Sequence, residues 1–334
     1  LGTICDVVRL DNLNRAFVKQ GIKILDKTKN IGLQSLIHSS KIEKKIDEYH
    51  LGYVIGPRIN AGGRIGKSSK GVDLLLSEKS FHSSYIADEL TELNLERQKI
   101  EKKVEDMAIK NINNSDKIIC VHGPDWHPGV IGIVAGRITE KFAKPSIVIS
   151  ENHVLCKGSA RSLPGFNIGS LITKACNEGI LTSGGGHKMA GGLSIKIEKI
   201  TEFKKFISEC TINNVIENKK YYDHEINLSL IDKSLYEKIN NLSPFGSGNP
   251  KPKFLIKKSF VKFPKLVGNN HLSCFLSDIY GNSIKAICFK AFDTKIGDFL
   301  LNNNGQLISF IGQININSWN GKDSLQVQIE DVLG

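Results

Sequence analysis

Apolar residues change their spacing three times along the chain, and each change predicts a different architecture. Over residues 84–111, Ile86, Leu90, Leu93, Ile100, Val104 and Met107 recur at alternating steps of four and three. That spacing predicts one long helix with an apolar seam. Arg97 stands where the seam would call for an apolar residue. The helix is longer than the usual globular one, so it is expected to link two lobes, with its seam as core. Upstream, Leu13, Phe17 and Ile24, then Leu33, Leu36 and Ile37, have helical spacing. Residues 2–8 look like a strand or a strand-to-helix junction interrupted by Asp6.

Beyond the long helix the pattern shifts to short apolar runs. Residues 117–122, 145–150 and the stretch leading into residues 159–162 are expected as strands. Residues 130–137 and 168–177 are expected as helices. The order strand, helix, strand, strand, helix, strand predicts a sheet with helices packed on it. After the polar stretch 213–222, alternating segments at 271–276, 283–289, 306–315 and 324–332 are separated by turns at 267–270, 280–282 and 319–322. The last turn carries Asn320-Gly321, a strong hairpin signal. Evenly spaced short strands predict a small barrel or sandwich. The overall expectation is an α/β chain ending in an all-β domain.

Composition narrows the functional classes. The chain has 334 residues, enough for two or three domains, and its 40% hydrophobic and 24% charged content are ordinary for a globular protein. No apolar run reaches the roughly 18–20 residues of a bilayer span, so no membrane role is expected. The start at Leu1 reads as a fragment or a processed product. A net charge of +11 suits a polyanionic partner such as nucleic acid, although a lysine-rich composition alone would also produce it. The seven cysteines are scattered, with no Cys-x-x-Cys, which suits a reducing cytoplasm and argues against structural zinc.

The candidate chemistry clusters between residues 156 and 195. Ser159, Arg161 and Ser162 combine hydroxyls with a guanidinium, a set that suits phosphate. Gly184, Gly185 and Gly186 would let bare N–H groups approach a ligand, and His187 adds a hydrogen-bonding side chain. A glycine triplet by itself is most often a turn. Arg58 and Arg64 flank Asn60 in what reads as a glycine-rich loop, able to bracket a phosphodiester or simply to be solvated. His127 precedes a helix start, where it could face an anion or cap the turn. Residues 251–265 hold six lysines, among them Lys251, Lys253, Lys257 and Lys258, and no acid. Phe254, Phe260 and Phe263 are interleaved with them. That is the pattern of a single-strand stacking platform, and equally of a strand with phenylalanines inward and lysines outward. Asp6 could be a helix cap or a metal ligand.

The stretches LGTICDVVRL, LGYVIGPRINAGGRIG, WHPGVIGIVAGRI, KGSARSLPGFNIG, SGGGHKMAGGLSI, LSPFGSGNPKPKF and SWNGKDSLQVQIEDV together resemble the RecJ family of single-stranded-DNA-specific exonucleases, within the DHH phosphoesterase superfamily. They cover nearly the whole chain in family order. The resemblance implies a remnant of a DHH domain (1–80), a connecting helix (81–114), a DHH-associated α/β domain (115–214) and an OB-fold (220–334). It implies metal-dependent 5′-to-3′ hydrolysis of single-stranded DNA to mononucleotides in repair and recombination, with Mn²⁺ or Mg²⁺.

By the same resemblance, Asp6 is a metal ligand and, with His187, catalytic. Ser159, Arg161, Ser162 and Gly184–His187 hold the substrate phosphate and nucleotide, and Arg58, Asn60 and Arg64 lie near the DNA path. A monomeric cytoplasmic enzyme assisted by a helicase and a single-strand binding protein is implied. Gly62 and Gly191 replace the alanine of many relatives, a change expected to touch packing more than chemistry. The family's Asp-x-Asp and Asp-His-His motifs are absent. Two-metal hydrolysis needs several such ligands, so this chain alone is expected to bind DNA without cutting it. The rival readings are a DHH-type oligonucleotidase or phosphatase and a non-catalytic single-strand binding module.

Overall fold

A computed structural model describes residues 1–42, 45–152, 154–209, 220–268, 270–292, 294–303, 305–319 and 322–333. The chain opens with α1 (Gly2–Cys5) and α2 (Asn12–Leu25). It divides into two compact units, Ile24–Asn218 and a second made of Gly2–Lys23 with Lys219–Gly334.

In the first unit come α3 (Ile31–Ser39), a π-helical turn (His50–Ile55) that runs into α4 (Gly56–Ile65), α5 (Lys70–Leu76) and α6 (Ser80–Lys110). Residues 56–65 are therefore a helix, not a glycine-rich loop. The glycines there serve packing: a Cβ on Gly62 would lie 2.8 Å from the Lys67 carbonyl oxygen, and one on Gly71 would lie 2.8 Å from Ile59. Close helix–helix approach offsets the cost of glycine in a helix, about 1 kcal/mol.

Helix α6 has 31 residues, a length of about 46 Å. Its buried seam is Ser83, Ala87, Leu90, Asn94, Arg97, Glu101, Val104 and Ala108, at alternating steps of four and three. The centre of the seam is polar. Arg97 Nη1 donates to Glu101 Oε2 (2.5 Å) and Nη2 to Asn94 Oδ1 (3.0 Å). Glu101, with no exposed surface, also pairs with Arg137, which reaches Glu105 at 2.8 Å. A buried charge persists only where it is paired and hydrogen-bonded, and this ladder supplies both.

A five-stranded sheet follows: β1 (Ile119–Pro124), β2 (Ser146–Glu151), β3 (Leu155–Arg161), β4 (Ser183–His187) and β5 (Ala190–Lys196). The strand order is β1-β2-β3-β5-β4. β1 and β2 are parallel and the other pairs antiparallel. α7 (Pro128–Phe142) covers one face around Val134, Ile138 and Trp126. α8 (Ile168–Asn177) and α9 (Ile200–Glu209) cover the other around Ile172, Phe203 and Ile195. The glycine triplet is a strand rather than a turn. A Cβ on Gly184 would meet Ile172 at 2.6 Å, one on Gly186 the Ala190 carbonyl at 2.4 Å, and one on Gly191 Ile172 at 2.5 Å. These three glycines let α8 lie close against the edge of the sheet.

The second unit holds β6 (His224–Ile226), α10 (Lys233–Asn240), β7 (Phe254–Val267), β8 (His271–Ser277), β9 (Ser283–Cys288), α11 (Lys295–Leu301), β10 (Ile308–Trp319) and β11 (Lys322–Leu333). The order β7-β8-β9-β11-β10 closes back onto β7, with β9 and β11 parallel. This is a five-stranded OB-type barrel, filled by Ile256, Leu272, Ala286, Phe310 and Val327. β10 and β11 pair up to Trp319 and Lys322. Their connecting Asn320-Gly321, like Asn269 and most of the polar boundary stretch, lies outside the described residues.

Residues 2–8 are helical turns rather than a strand. Asp6 N–H donates to the Gly2 carbonyl (2.9 Å) and Val8 N–H to that of Thr3 (3.0 Å). Among the described residues no strand pairs with this segment, so its backbone groups are satisfied locally. Further on, Leu10 N–H donates to Ser247 O (2.6 Å) and Arg15 to Leu242 O (2.7 Å), which ties this stretch to the Ser-Pro-Phe-Gly-Ser-Gly loop before the barrel. All six described cysteines are free thiols. Among the described residues no helix is long and apolar enough to cross a membrane.

A candidate anion-binding groove

Residues opposite one another on antiparallel strands share a face, and residues two apart along a strand share it too. Cross-strand register therefore builds a grid on the α7 side of the sheet. Its rows are Lys157–Ser194–Ser183, Ser159–Gly192–Gly185 and Arg161–Ala190–His187. A Cβ on Gly185 would meet nothing within 4 Å, and one on Gly192 only Gly158 O at 3.9 Å. These two glycines face open space, unlike Gly184, Gly186 and Gly191. The floor is thus bare backbone ringed by hydroxyls and cations.

Two helix ends complete the walls of a cavity of about 550 Å³. They are Gly63 and Arg64 at the end of α4, and Pro128, Gly129 and Gly132 at the start of α7. They meet closely, since a Cβ on Gly129 would fall 2.1 Å from the Arg64 carbonyl oxygen. Arg64 Nη1 donates to Gly129 O at 3.2 Å. At the Gly132 position α7 crosses β3, where a Cβ would be 3.0 Å from Ser159 Oγ and 3.3 Å from Arg161 Nη2.

Arg161 Nη1 donates to Ser159 Oγ (3.2 Å) and to Ala160 O (2.9 Å), which holds the guanidinium over the middle row. Lys157 Nζ donates to Ser194 Oγ at 2.9 Å. Among the described residues no carboxylate pairs with Lys157, Arg161 or Arg64. Burial, and after it the charge of Arg64, pushes the Arg161 guanidinium below its usual pKa. Unpaired cations in a half-buried cleft are stabilised by an incoming anion.

The groove gathers some of the expected residues and leaves others out. Ser159, Arg161, Arg64 and Gly184 line it, and Gly185 lies next to the lining residue Gly192 in the same cross-strand row. His187 lies on the same sheet face as Arg161, two strands away, about 10 Å. Neither His187 nor Gly186 lines the groove; both border a second hollow of about 540 Å³ beside α8. Ser162 falls on the other side of the alternation. It is buried, and its hydroxyl donates to Phe166 O at 2.8 Å, so it braces the turn.

Arg58 and Asn60 do not line the groove: Arg58 is on another face of α4 from Arg64, and Asn60 shares Arg64's face but sits a full turn earlier. Arg58 donates to Val54 O at 2.8 Å, and burial lowers its pKa. His127 caps α7, with Nδ1 accepting from Gly129 N–H at 3.0 Å, which leaves the neutral ring's proton on Nε2. Pro128 has no N–H, and Val130 N–H bonds His127 O. The first N–H groups of α7 are therefore spent, and the side-chain cations carry the attraction for anions. Lys157, Ser183 and Ser194 were missed by sequence reasoning. Strand alternation from Arg161 back to Lys157 was the available signal.

Asp6 is exposed and belongs to the barrel unit. Among the described residues no three His, Cys, Asp or Glu side chains gather as a metal site. One carboxylate does not hold an ion pair, so this chain's residues do not by themselves fit the two-metal centre expected from the sequence.

On the barrel, the lysine strip is largely engaged internally. Lys251 bonds Asn315 and lies over the Tyr236 and Phe245 rings at 5.7 and 5.9 Å. Lys253 pairs with Glu330 at 2.5 Å and Lys257 with Glu225. Lys258 is exposed, Phe254 is buried in the core and Phe263 is 78% exposed. A different row, Lys262–Phe275–Lys285, crosses the outer surface of β7, β8 and β9, with Phe275 42% exposed.

Comparison with known proteins is consistent along the whole chain. Residues 114–213 match the DHHA1 domain and residues 222–331 the RecJ OB domain. A single-stranded-DNA-specific exonuclease RecJ of Bacillus subtilis is 33% identical over 99% of this chain and 43% of its own length. That of Escherichia coli is 28% identical, over 99% and 60%. The crystal structure of Thermus thermophilus RecJ in complex with Mn²⁺ superposes with a TM-score of 0.85 at 26% identity, covering all of this chain and 48% of that one. A second structure of that protein, in complex with Mg²⁺, has a TM-score of 0.84. The chain spans about half the length of the relatives it matches.

Proposed function

The chain belongs to the RecJ family, and on that premise we propose that it is the strand-holding part of a single-stranded-DNA-specific 5′-to-3′ exonuclease. The observation that carries this reading is the groove: Arg64, Lys157 and Arg161 surround a glycine floor, and among the described residues no carboxylate pairs with them. A guanidinium with a serine hydroxyl gives charge-assisted bonds suited to a 5′-phosphate. Bare glycine leaves room for the sugar and base. In this reading Arg161 and Ser159 fix the strand end, which aligns the first phosphodiester for attack. His187 shares the sheet face of Arg161 but stands outside the groove's lining, so in this reading it meets the strand only beyond the first nucleotide.

The barrel supplies length. Phe263, Phe275 and the lysines at 262 and 285 form a surface on which bases stack while cations follow the backbone. This differs from the strip at Lys251, Lys253, Lys257 and Lys258, most of which is already paired within the chain.

Metal-activated water belongs to the part of the relatives' length not covered here, where the Mn²⁺ and Mg²⁺ bound by the Thermus relatives would be held together with Asp6. A monomer acting in the cytoplasm in DNA repair and recombination, beside a helicase and a single-strand binding protein, follows from the same family reading. The test is binding of the chain to single strands with a 5′-phosphate and with a blocked 5′ end, combined with a Mn²⁺ hydrolysis assay. Preference for the phosphate without hydrolysis is the expected outcome. Equal affinity would favour a plain single-strand binding module, and robust degradation by this chain alone would overturn the division of labour.

A further inference from the structure

We propose that the Lys157 end of the groove is a second anion subsite, which holds the phosphodiester next to the strand-end phosphate. The inference rests on the strand-end reading of Arg161 above and deepens it: the groove then recognises a phosphorylated dinucleotide step rather than a single phosphate.

Three observations carry it. First, each end of the grid holds a complete anion grip. Arg161 works with Ser159, and Lys157 with Ser194 and the neighbouring Ser183. Second, each cation is tied to a serine in a different row, Arg161 to Ser159 and Lys157 to Ser194. The tethers keep the two centres about 7 Å apart, two residues along a strand, instead of converging on one point. Third, the floor beside Ser159, in the row next to Lys157, is Gly192 and Gly185, where an added Cβ would meet almost nothing. A sugar and base can pass between the two grips. Lys157, Arg161, Ser183, Ser194 and Gly192 line one continuous cavity, and among the described residues no carboxylate neutralises Lys157.

The experiment is an NMR titration of the whole chain with thymidine 5′-monophosphate and with the 5′-phosphorylated thymidine dinucleotide. The unaltered chain is expected to bind the dinucleotide about tenfold more tightly, the gain from one additional charge-assisted contact. Lys157→Ala should erase that gain and weaken the mononucleotide far less than the dinucleotide, while Lys157→Arg should restore it. Amide spectra of each variant report whether the sheet is intact.

Equal weakening of both ligands in Lys157→Ala would mean that Lys157 shares the terminal phosphate, which overturns the second subsite. No weakening of either would overturn it as well. Arg161→Ala serves as the separate control. If it leaves the mononucleotide affinity unchanged, the strand-end reading itself falls, whatever Lys157 does.

Discussion

The groove and the barrel both carry lysine and arginine, but they use them in opposite ways. In the barrel strip, Lys253 and Lys257 each meet a glutamate, and Lys251 is enclosed by Asn315 and two aromatic rings. Those charges are largely spent on the fold. In the groove, Lys157 and Arg161 bond only neutral serine and backbone oxygens, so their charge is left for a ligand. A count of basic residues ranks the strip first. The partners of each cation reverse that ranking, since an exposed paired lysine gains little from a further anion.

The comparison can be broken at its strongest point by Glu101→Ala. Removing the acid that Arg97 and Arg137 share leaves the buried Arg97 without a carboxylate, while Arg137 keeps Glu105, and should cost about 3–5 kcal/mol. Chemical denaturation should show the loss in the transition of the groove-bearing unit, with the barrel transition unmoved. Next, Arg161→Ala should weaken binding of a 5′-phosphorylated single strand about a hundredfold, through the loss of charge-assisted bonds. Binding of a 5′-hydroxyl strand should hardly change in the same titration.

A pair of alanines sharpens the picture further. Gly186→Ala drives a methyl into the Ala190 carbonyl and should cost about 1–3 kcal/mol by overpacking. Gly185→Ala should leave the melting temperature in place and lower affinity for the phosphorylated end. Smallest of all, Lys257→Ala should change affinity for a long single strand by less than about twofold. Phe275→Ala, which removes a stacking surface, should exceed it by roughly tenfold. If Lys257→Ala instead matched Arg161→Ala, the contrast between the two regions would be lost.

Much of the architecture was legible in periodicity. The four-and-three seam marks α6, and alternation with turn residues marks β8 to β11, because a single repeating interface dictates each pattern. Glycine-rich stretches were misleading for a physical reason. Gly62 and Gly184 look like turn formers, yet each is glycine because a neighbouring backbone or side chain occupies the Cβ position. That neighbour is the Lys67 carbonyl for Gly62 and Ile172 of α8 for Gly184, and residue spacing names neither. The same limit hid the role of Arg97, whose partners Asn94 and Glu101 stand on its own helix while Glu101 is shared with Arg137 of α7. Of the site, the Ser159–Arg161 core was legible from residue chemistry. Ser162 was misread because one step along a strand reverses the face, and Lys157 was missed although two steps of two preserve it.

The polar centre of the α6 seam also acts as an index mark. Apolar helix surfaces tolerate sliding by a turn, about 5.4 Å, since one leucine can replace another in a hole. Glu101 resists that displacement of α7, because Arg137 moved by a turn would leave one oxygen of a fully buried carboxylate without its partner, with only Arg97 remaining. The start of α7, with Gly129 and Gly132, is thereby held at one height above β3. An ion pair outside the groove's lining thus helps to fix the groove's width.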